Sequence, residues 1–559
     1  MAPDPNKRHE VVHGPFQSLS RTTQFWRRAT GIYLSYKGAQ AKAQVLKLQG
    51  WDKEKLQEAH WKPHHSWAGK EMYSLCVDMR GFYLKVGQFL GARGDFMPLP
   101  VCEQLSRLHD QVPPMPAAQT REVIESELNA KLEQVFEWID LETPLGSASI
   151  SQVHKAKLRR QKVSKRQRRR AAACTYHVVA PGDDLSRIAR ANNVLVSDIE
   201  RLNAGTGLAE LQPGTLLKLP ACDPQAAPSS AAIAASDACR SREGPHKGIV
   251  AVKVQYPNAY PTMALDLGNV KTAAAFLQKT ELKFDLTSAV KELAKQIKLE
   301  FDFTREARIM DDISNQLKEH KGLSKKIEIP RSVPGLVTRQ LLVMNFLDGT
   351  QITRLGDKVK SLSKRKRKMA MDKILHRVAE AYGRQLLYGG LFQADGHPGN
   401  ILVMKGAKIG LIDYGQSKQL PLNSKLAFAQ LIHALDEEDD AQIVGALSGL
   451  GVVLGEGPPA TASRMAYGMF DTRGRVDPFD PDSPMKQMAV KHFPSDMFFV
   501  LRVVQLLRGL STHMGVTDFS TAHQWRPYAD ETLRRHGLLP AAKPWWHESA
   551  FTGKAWRLH

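Results

Sequence analysis

Cysteine is scarce and unpatterned in this sequence. Five residues, Cys76, Cys102, Cys174, Cys222 and Cys239, are spread over 559 positions with no Cys-x-x-Cys spacing, which argues against a thiolate zinc site and fits a reducing compartment. Long apolar runs are also absent: the best stretch, Met497 to Leu507, is interrupted by Arg502 and is too short to span a bilayer. Acidic residues are missing from Val11 to Trp51, where Arg and Lys are frequent, and no apolar signal-peptide core accompanies that bias. The bias fits an organellar targeting segment, mitochondrial or plastid. Asp4 and Glu10 count against it, and the alternative is an ordinary basic helix over Phe25 to Leu48 of a cytoplasmic protein. The chain is expected in solution or peripheral to a membrane.

What is present is a long, basic, globular sequence. With 42% hydrophobic and 24% charged residues it has the material for two or three domains with full cores. Lys plus Arg number 78 against 57 Asp plus Glu, a net charge of +21, which suits polyanions such as nucleotides or anionic headgroups without choosing among them. Part of the excess is local, in runs from Lys157 to Arg170 and from Lys358 to Lys368 that read as solvated loops. Neither run is accompanied by an aromatic stacking platform or a groove-binding motif, so no nucleic-acid partner is expected.

Along the chain, Met72, Leu75, Cys76, Met79, Phe82, Tyr83, Val86, Phe89 and Leu90 form one apolar stripe at helical spacing, predicting a single buried amphipathic helix with Lys85 and Gln88 side by side off the stripe. From Thr143 short strands take over. Ile150 to Leu158 and Ile249 to Gln255 would join as a simple hairpin if residues 161–247 were removed, which is how a domain inserted at a loop tip looks in sequence. The last part of that insert, Asp223 to Pro245, is rich in Ala, Ser and Pro and reads as a flexible linker. Its middle, Thr175 to Pro220, has a strand, a helix Asp184 to Asn192 capped by Asp183, a second helix to Leu202 capped by Ser197, and a Pro213-Gly214 turn into a closing strand. This piece resembles a LysM module, a βααβ fold that binds glycans containing N-acetylglucosamine. The resemblance implies a carbohydrate groove near Gly182 to Leu185 and Leu208 to Leu211, with a retained scaffold as the alternative. Cys174 and Cys222 flank strands that should lie adjacent.

The chemistry is carried by an ordered set. Ile249 to Val254 is an apolar strand holding one lysine, Lys253. Phe392 to Asn400 reads Phe-Gln-Ala-Asp-Gly-His-Pro-Gly-Asn, so Asn400 follows Asp395 by five; two strands turned by Gly406 come next, and the second ends at Asp413-Tyr414-Gly415. Asp, Asn five later, a hairpin and Asp-aromatic-Gly is the arrangement by which kinase-like folds hold Mg-ATP, because Mg²⁺ takes carboxylate and amide oxygens. The sequence resembles the UbiB/aarF (ADCK-type) atypical protein-kinase-like family from about Gln24 to its C-terminal helices, the insert excepted. Lys85-Val-Gly-Gln88 is like the family's KxGQ signature, Pro144 to His154 like its Ala-rich loop, and Glu300-Phe-Asp302 like its ExD signature. The resemblance implies that Ala148, Ser149, Lys253 and Met344 bind nucleotide, that Glu306 pairs with Lys253, that Asp395 takes the catalytic-loop position, that Asn400 and Asp413 take the metal, and that Lys85, Gln88, Glu300 and Asp302 form a regulatory group across the groove. Gln393 stands where the family has His and Gly396 where it has Pro; Asn345 stands at the acidic hinge position, and no Ala-Pro-Glu segment follows Asp413.

If Leu286 to Met310 were one straight helix, Asp302 and Glu306 would share a face and Glu300 would point away by about 200°. The expected architecture is α+β: a bilobal protein-kinase-like fold with a helical KxGQ extension and a LysM insert between its second and third strands. Its expected parts are a basic segment 1–60, the extension 61–143, an N-lobe 144–160 and 248–348, a basic linker 161–174, the LysM module 175–220, a linker 221–247, a C-lobe 349–535 and a tail 536–559. The expected function is Mg-dependent ATP binding with ATP hydrolysis or small-molecule phosphotransfer, and the resemblance implies a link to isoprenoid-quinone or other lipid metabolism at an organellar membrane. The alternatives are a nucleotide-binding pseudokinase scaffold and a LysM glycan-binding kinase.

Overall fold

The structure is a computed structural model that describes residues 15–91, 97–109, 114–160, 174–179, 184–191, 196–203, 216–220, 230–239, 246–257, 259–281, 286–320, 322–356, 360, 362–473, 488 and 490–540. The chain divides into two units, one comprising Met1–Ala307 with Arg331–Phe346 and the other Arg308–Pro330 with Leu347–His559.

The first unit opens with α1 (Pro15–Leu48), a continuous 34-residue helix that begins earlier than Phe25. The apolar stripe from Met72 to Leu90 is shared by two helices rather than one, α2 (Lys62–Met79) and α3 (Phe82–Gly91). Arg80 and Gly81 both take positive φ, 54° and 55°, and end the first helix before the second starts. Helical periodicity alone does not register such a break, because two short helices can keep the same apolar face. The pairing of α3 with its neighbours depends on Gly87. A Cβ there would sit 2.4 Å from Leu108 Cδ1 and 2.7 Å from Cys76 Sγ, closer than packed atoms allow. The third position of Lys-Val-Gly-Gln is therefore tightly packed, and a larger residue there would displace the ends of Leu108 and Cys76. α4 (Leu99–Leu105) packs with these two helices, while α5 (Ala117–Leu128) joins the core of the sheet.

The sheet of this unit starts with β1 (Phe136–Ile139), followed by β2 (Gly146–Ser147) and β3 (Ser151–Leu158). β1 was not expected and moves the insert to the gap between the third and fourth strands. The insert contains β4 (Cys174–Val178), α6 (Leu185–Ala191), α7 (Val196–Leu202) and β5 (Leu216–Pro220), with β4 and β5 antiparallel. Val179, Ile188, Ala189, Ile199, Leu217 and Leu219 give it its own small core. The cap of α6 is Asp184, whose carboxylate accepts from Arg187 N at 2.7 Å; Asp183 lies outside the described residues, and Ser197 lies inside α7 rather than capping it. Of the expected carbohydrate groove, Gly182 and Leu208 to Leu211 also lie outside them, as does Cys222. Among the described residues Cys76, Cys102 and Cys239 are free thiols.

The stretch read as a flexible linker contains α8 (Ser230–Ala238). Alanine is the strongest helix former, and Ala231, Ala235 and Ala238 share the hydrophobic core with Val333 and Leu336. The chain then returns as β6 (Ile249–Gln255), antiparallel to β3 over its whole length. α9 (Ala259–Thr280) and α10 (Leu286–Glu300) follow. The single straight helix considered for Leu286 to Met310 does not form: α10 ends at Glu300 and α11 (Phe303–Lys318) starts after Asp302, whose carboxylate accepts from Thr304 N at 3.0 Å and Arg305 N at 3.3 Å. Asp302 is a cap, and a cap requires a non-helical residue. β7 (Ile327–Glu328) belongs to the second unit, while β8 (Ser332–Val337) and β9 (Leu341–Asn345) finish the sheet of the first in the order β1-β3-β6-β9-β8.

The second unit has a small sheet in which β10 (Gly349–Gln351), β12 (Ile401–Met404), β13 (Ile409–Leu411) and β7 are neighbours in that order, and a separate pair, β11 (Leu391–Gln393) with β14 (Ser417–Gln419). Around them pack α12 (Lys364–Gly383), α13 (Leu422–Glu437), α14 (Asp440–Gly449), α15 (Pro459–Phe470), α16 (Ser495–Met514) and α17 (Thr521–Arg535). Part of the second basic run, Lys364 to Lys368, is the exposed first turn of α12 rather than a loop, because Lys and Arg are good helix formers and Ser363 accepts from Lys366 N. Among the described residues no helix is long and apolar enough to cross a membrane.

The observed α8 generates a prediction. Deleting 174–220 and joining the ends with a Gly-Ser linker should leave cooperative unfolding intact, because the module has its own core. Deleting 161–247, which also removes the alanine face from β8, should cost about 2–4 kcal/mol. Thermal denaturation of the two variants checks this, and equal melting temperatures would show that α8 contributes nothing.

Candidate functional site

In the first unit, β6 is buried along nearly its full length, so a lysine within it must be neutralised. Lys253 Nζ lies 2.7 Å and 2.9 Å from the two carboxylate oxygens of Glu306 and 5.2 Å from the centre of the Phe303 ring. The side chains are 9% and 3% exposed, which makes this a buried pair. β6 runs between β3 and β9, placing Lys253 opposite Val153 and Leu342. The Ala-rich loop joins β2 to β3 as a tight turn: Ala148 N donates to Ser151 O at 2.8 Å, and Ser149 is buried. Ser147 and Tyr256 share a 2.6 Å hydroxyl contact, which fastens the loop to the end of β6. Met344 is buried in β9 opposite Ala251.

The residues around Lys85 are only partly brought together. Lys85 Nζ is 2.9 Å from Glu300 Oε2, the two side chains being 17% and 6% exposed. Gln88 Nε2 instead donates to Leu108 O at 3.1 Å, and Asp302 caps α11. Glu300, Asp302 and Glu306 thus have three separate tasks, divided by the break between α10 and α11.

In the second unit the loop from Leu391 to Gly415 is tied by one side chain that was noted only as a departure. Gln393 is fully buried. Its Nε2 donates to Ile412 O at 2.6 Å and to Asp413 O at 2.7 Å, its Oε1 accepts from Tyr382 Oη at 2.7 Å, and its N donates to Gln385 Oε1 at 3.1 Å. The amide therefore braces the Asp395 loop against the Asp413 loop. Asp413 itself has φ 70°, an uncommon conformation for a residue other than glycine, and its Oδ1 accepts from Gly415 N at 3.1 Å. Asn400 Nδ2 lies 3.4 Å from Asp395 Oδ2.

Arg502 of α16 was missed. Its Nη2 donates to Asp395 Oδ1 at 2.7 Å, and no local signal links residues 107 positions apart. Gly396 explains the closeness of that helix: a Cβ there would meet Arg502 O at 3.1 Å, so glycine lets α16 approach the loop.

Residues 107–171 and 229–447 match the ABC1 atypical kinase-like domain family, and residues 177–220 match the LysM domain. The chain belongs to the ABC1 atypical kinase-like family and carries a LysM domain within it. The interval skipped by the first match holds the second, as the hairpin argument expects. Among similar proteins, "Protein ACTIVITY OF BC1 COMPLEX KINASE 8, chloroplastic" of Arabidopsis thaliana is 24% identical over 393 residues, 69% of this chain and 38% of that protein. "AarF domain-containing protein kinase 1" of Xenopus laevis is 24% identical over 481 residues, 82% of this chain and 73% of that protein. The chain thus spans well under half of the first relative's length. A solved structure of Rv3197 with erythromycin from Mycobacterium tuberculosis is 16% identical with a TM-score of 0.46, covering 86% of this chain and 98% of that one.

Two measurements test these contacts. Gln393→Ala should leave Ile412 O, Asp413 O and the Tyr382 hydroxyl short of partners and cost about 2–4 kcal/mol in chemical denaturation; wild-type stability would mean that the amide does not brace the loops. Lys85→Ala should cost about 1–3 kcal/mol, and the exchanged pair Lys85→Glu with Glu300→Lys should recover part of the loss seen in Glu300→Lys alone. No recovery in the double variant would mean that the pair is not coupled in solution.

Proposed function

We propose that this chain binds ATP with Mg²⁺ and acts as an atypical kinase, either hydrolysing ATP or transferring its terminal phosphoryl group to a small molecule of isoprenoid-quinone or other lipid metabolism. The observation that carries the reading is the buried Lys253–Glu306 pair at 2.7 Å. A lysine oriented by a helix carboxylate is what kinase-like folds use to hold nucleotide phosphates. In the first unit, Lys253 would hold the phosphates, with Ala148, Ser149 and Met344 contributing to nucleotide binding.

In the second unit, Asn400 and Asp413 would hold the metal. Their donor atoms are oxygens, the kind a hard cation takes, and the left-handed backbone of Asp413 together with the Gln393 brace holds that carboxylate in one place. Bound Mg²⁺ would supply charge neutralisation at the transferring phosphoryl group. Asp395 would orient the nucleophile and accept its proton. The regulatory group would be Lys85 with Glu300, with Gln88 supporting α3 from behind and Asp302 fixing where α11 begins.

A second reading has its own support. Arg502 Nη2 at 2.7 Å from Asp395 Oδ1 occupies an oxygen that a catalytic base would use, which favours a nucleotide-binding scaffold without phosphotransfer. Placement in an organelle, peripheral to a membrane, is supported by the chloroplastic relative and by the acid-free stretch of α1. The LysM domain supports binding of an N-acetylglucosamine-containing glycan, with a protein-contact module as the alternative.

Asp413→Asn should abolish Mg-dependent ATP binding, since an amide oxygen is a weaker ligand for a hard cation. Asp395→Asn should keep ATP affinity and lower phosphate release by about two orders of magnitude. Equal ATP affinity of Asp413→Asn and wild type would remove the metal assignment, and unchanged phosphate release in Asp395→Asn would favour the scaffold.

A further inference from the structure

Helices of the first unit line a cavity of about 470 Å³, a size suited to a small-molecule ligand. Met263, Ile297 and Phe301 give it apolar wall, and Arg21, Arg80 and Lys85 line it with cations. Lys253, Glu306 and Met344 are not among its lining residues, although Ser149 of the loop between β2 and β3 is. Arg21 and Lys85 are held from behind by Asp266 at 2.7 Å and Glu300 at 2.9 Å.

Arg80 is the unusual member of the lining. Its backbone has φ 54° and ψ −158°, a combination that glycine adopts freely and an L side chain adopts only under strain. Such strain concentrates at ligand clamps and switch regions. A glycine would end α2 at this place at no steric cost. Its charge lies near Tyr256, whose phenol burial pushes up to about 12 while the Ser147 hydrogen bond and the Arg80 guanidinium pull it back. Tyr256 lines the same cavity.

We propose that this cavity binds a single-chain amphipathic anion, its apolar chain against Met263, Ile297 and Phe301 and its phosphate or carboxylate head on Arg80. A guanidinium matches the planar or tetrahedral oxygens of such a head by paired hydrogen bonds, and the aliphatic walls favour a chain over a second polar group. The cavity shares Ser149 with the loop that the nucleotide reading uses, but the head is assigned to Arg80, which that reading does not use.

The test is calorimetric titration of the full chain with monododecyl phosphate below its aggregation concentration, with dodecanol and inorganic phosphate as separate arms. Monododecyl phosphate should bind with each of the two fragments weaker by about tenfold or more. Arg80→Gly should weaken it by about tenfold without lowering the melting temperature, because backbone strain is relieved. Arg80→Lys should recover only part of the affinity lost in Arg80→Gly, because an ammonium cannot make the paired hydrogen bonds, and Ala259→Phe, which fills the cavity from α9, should abolish binding. Unchanged affinity in Arg80→Gly would overturn the proposal, as would inorganic phosphate binding as tightly as the dodecyl ester.

Discussion

A lysine inside a buried strand imposes the arrangement of the first unit. Lys253 has neighbours on both sides in the sheet, and its charge is tolerated there only beside an acid. Glu306 meets it from the first turn of α11, and α11 can begin where it does only because the chain leaves helical geometry at Asp302, whose side chain caps the new helix. The same break turns Glu300 toward Lys85. One ion pair thus connects the strand lysine, the helix start and the anchoring of α3. Removing a single partner of such a buried pair leaves an uncompensated charge, which is why it governs more than its own contact.

The second unit solves a different problem. Two loops that carry Asp395, Asn400 and Asp413 are joined by backbone bonds, Ile412 N to Asn400 O at 3.0 Å and Ala394 N to Gln416 O at 2.9 Å, and one of those aspartates sits in a left-handed conformation. Gln393 adds side-chain bonds by spanning both loops and reaching Tyr382. A glutamine suits this position because its amide donates two hydrogen bonds and accepts others. Gly396 is the companion change, because a Cβ there would crowd the backbone of α16, whose approach brings Arg502 to Asp395.

The LysM domain is accommodated by simple means. It enters and leaves between two strands that pair along their length, and it has its own core. Its exit segment is used a second time, as α8, to cover β8 with alanines. A low-complexity composition can be a packed helix when its small side chains are spaced to fit a sheet face.

Motif order, the buried strand lysine, the insert and its βααβ pattern, and the family itself were legible in the amino-acid sequence, because each is written in local spacing or in residue chemistry. So was the pairing of β3 with β6, since removing the insert leaves a hairpin. The two helix breaks were not. Arg80 ends α2 in a conformation that propensity disfavours, and the periodicity of apolar residues runs straight through it. At Asp302 the preference of aspartate for caps over helix interiors was the available signal, but where α11 starts also depends on its packing. Gln393 was visible as a departure, yet its partners are as many as 20 residues away. Arg502 comes from a helix more than a hundred residues downstream. Local sequence sets which groups are available, but burial, chain reversal and close approach of backbones are long-range events, and only the tertiary structure decides which of those groups meet.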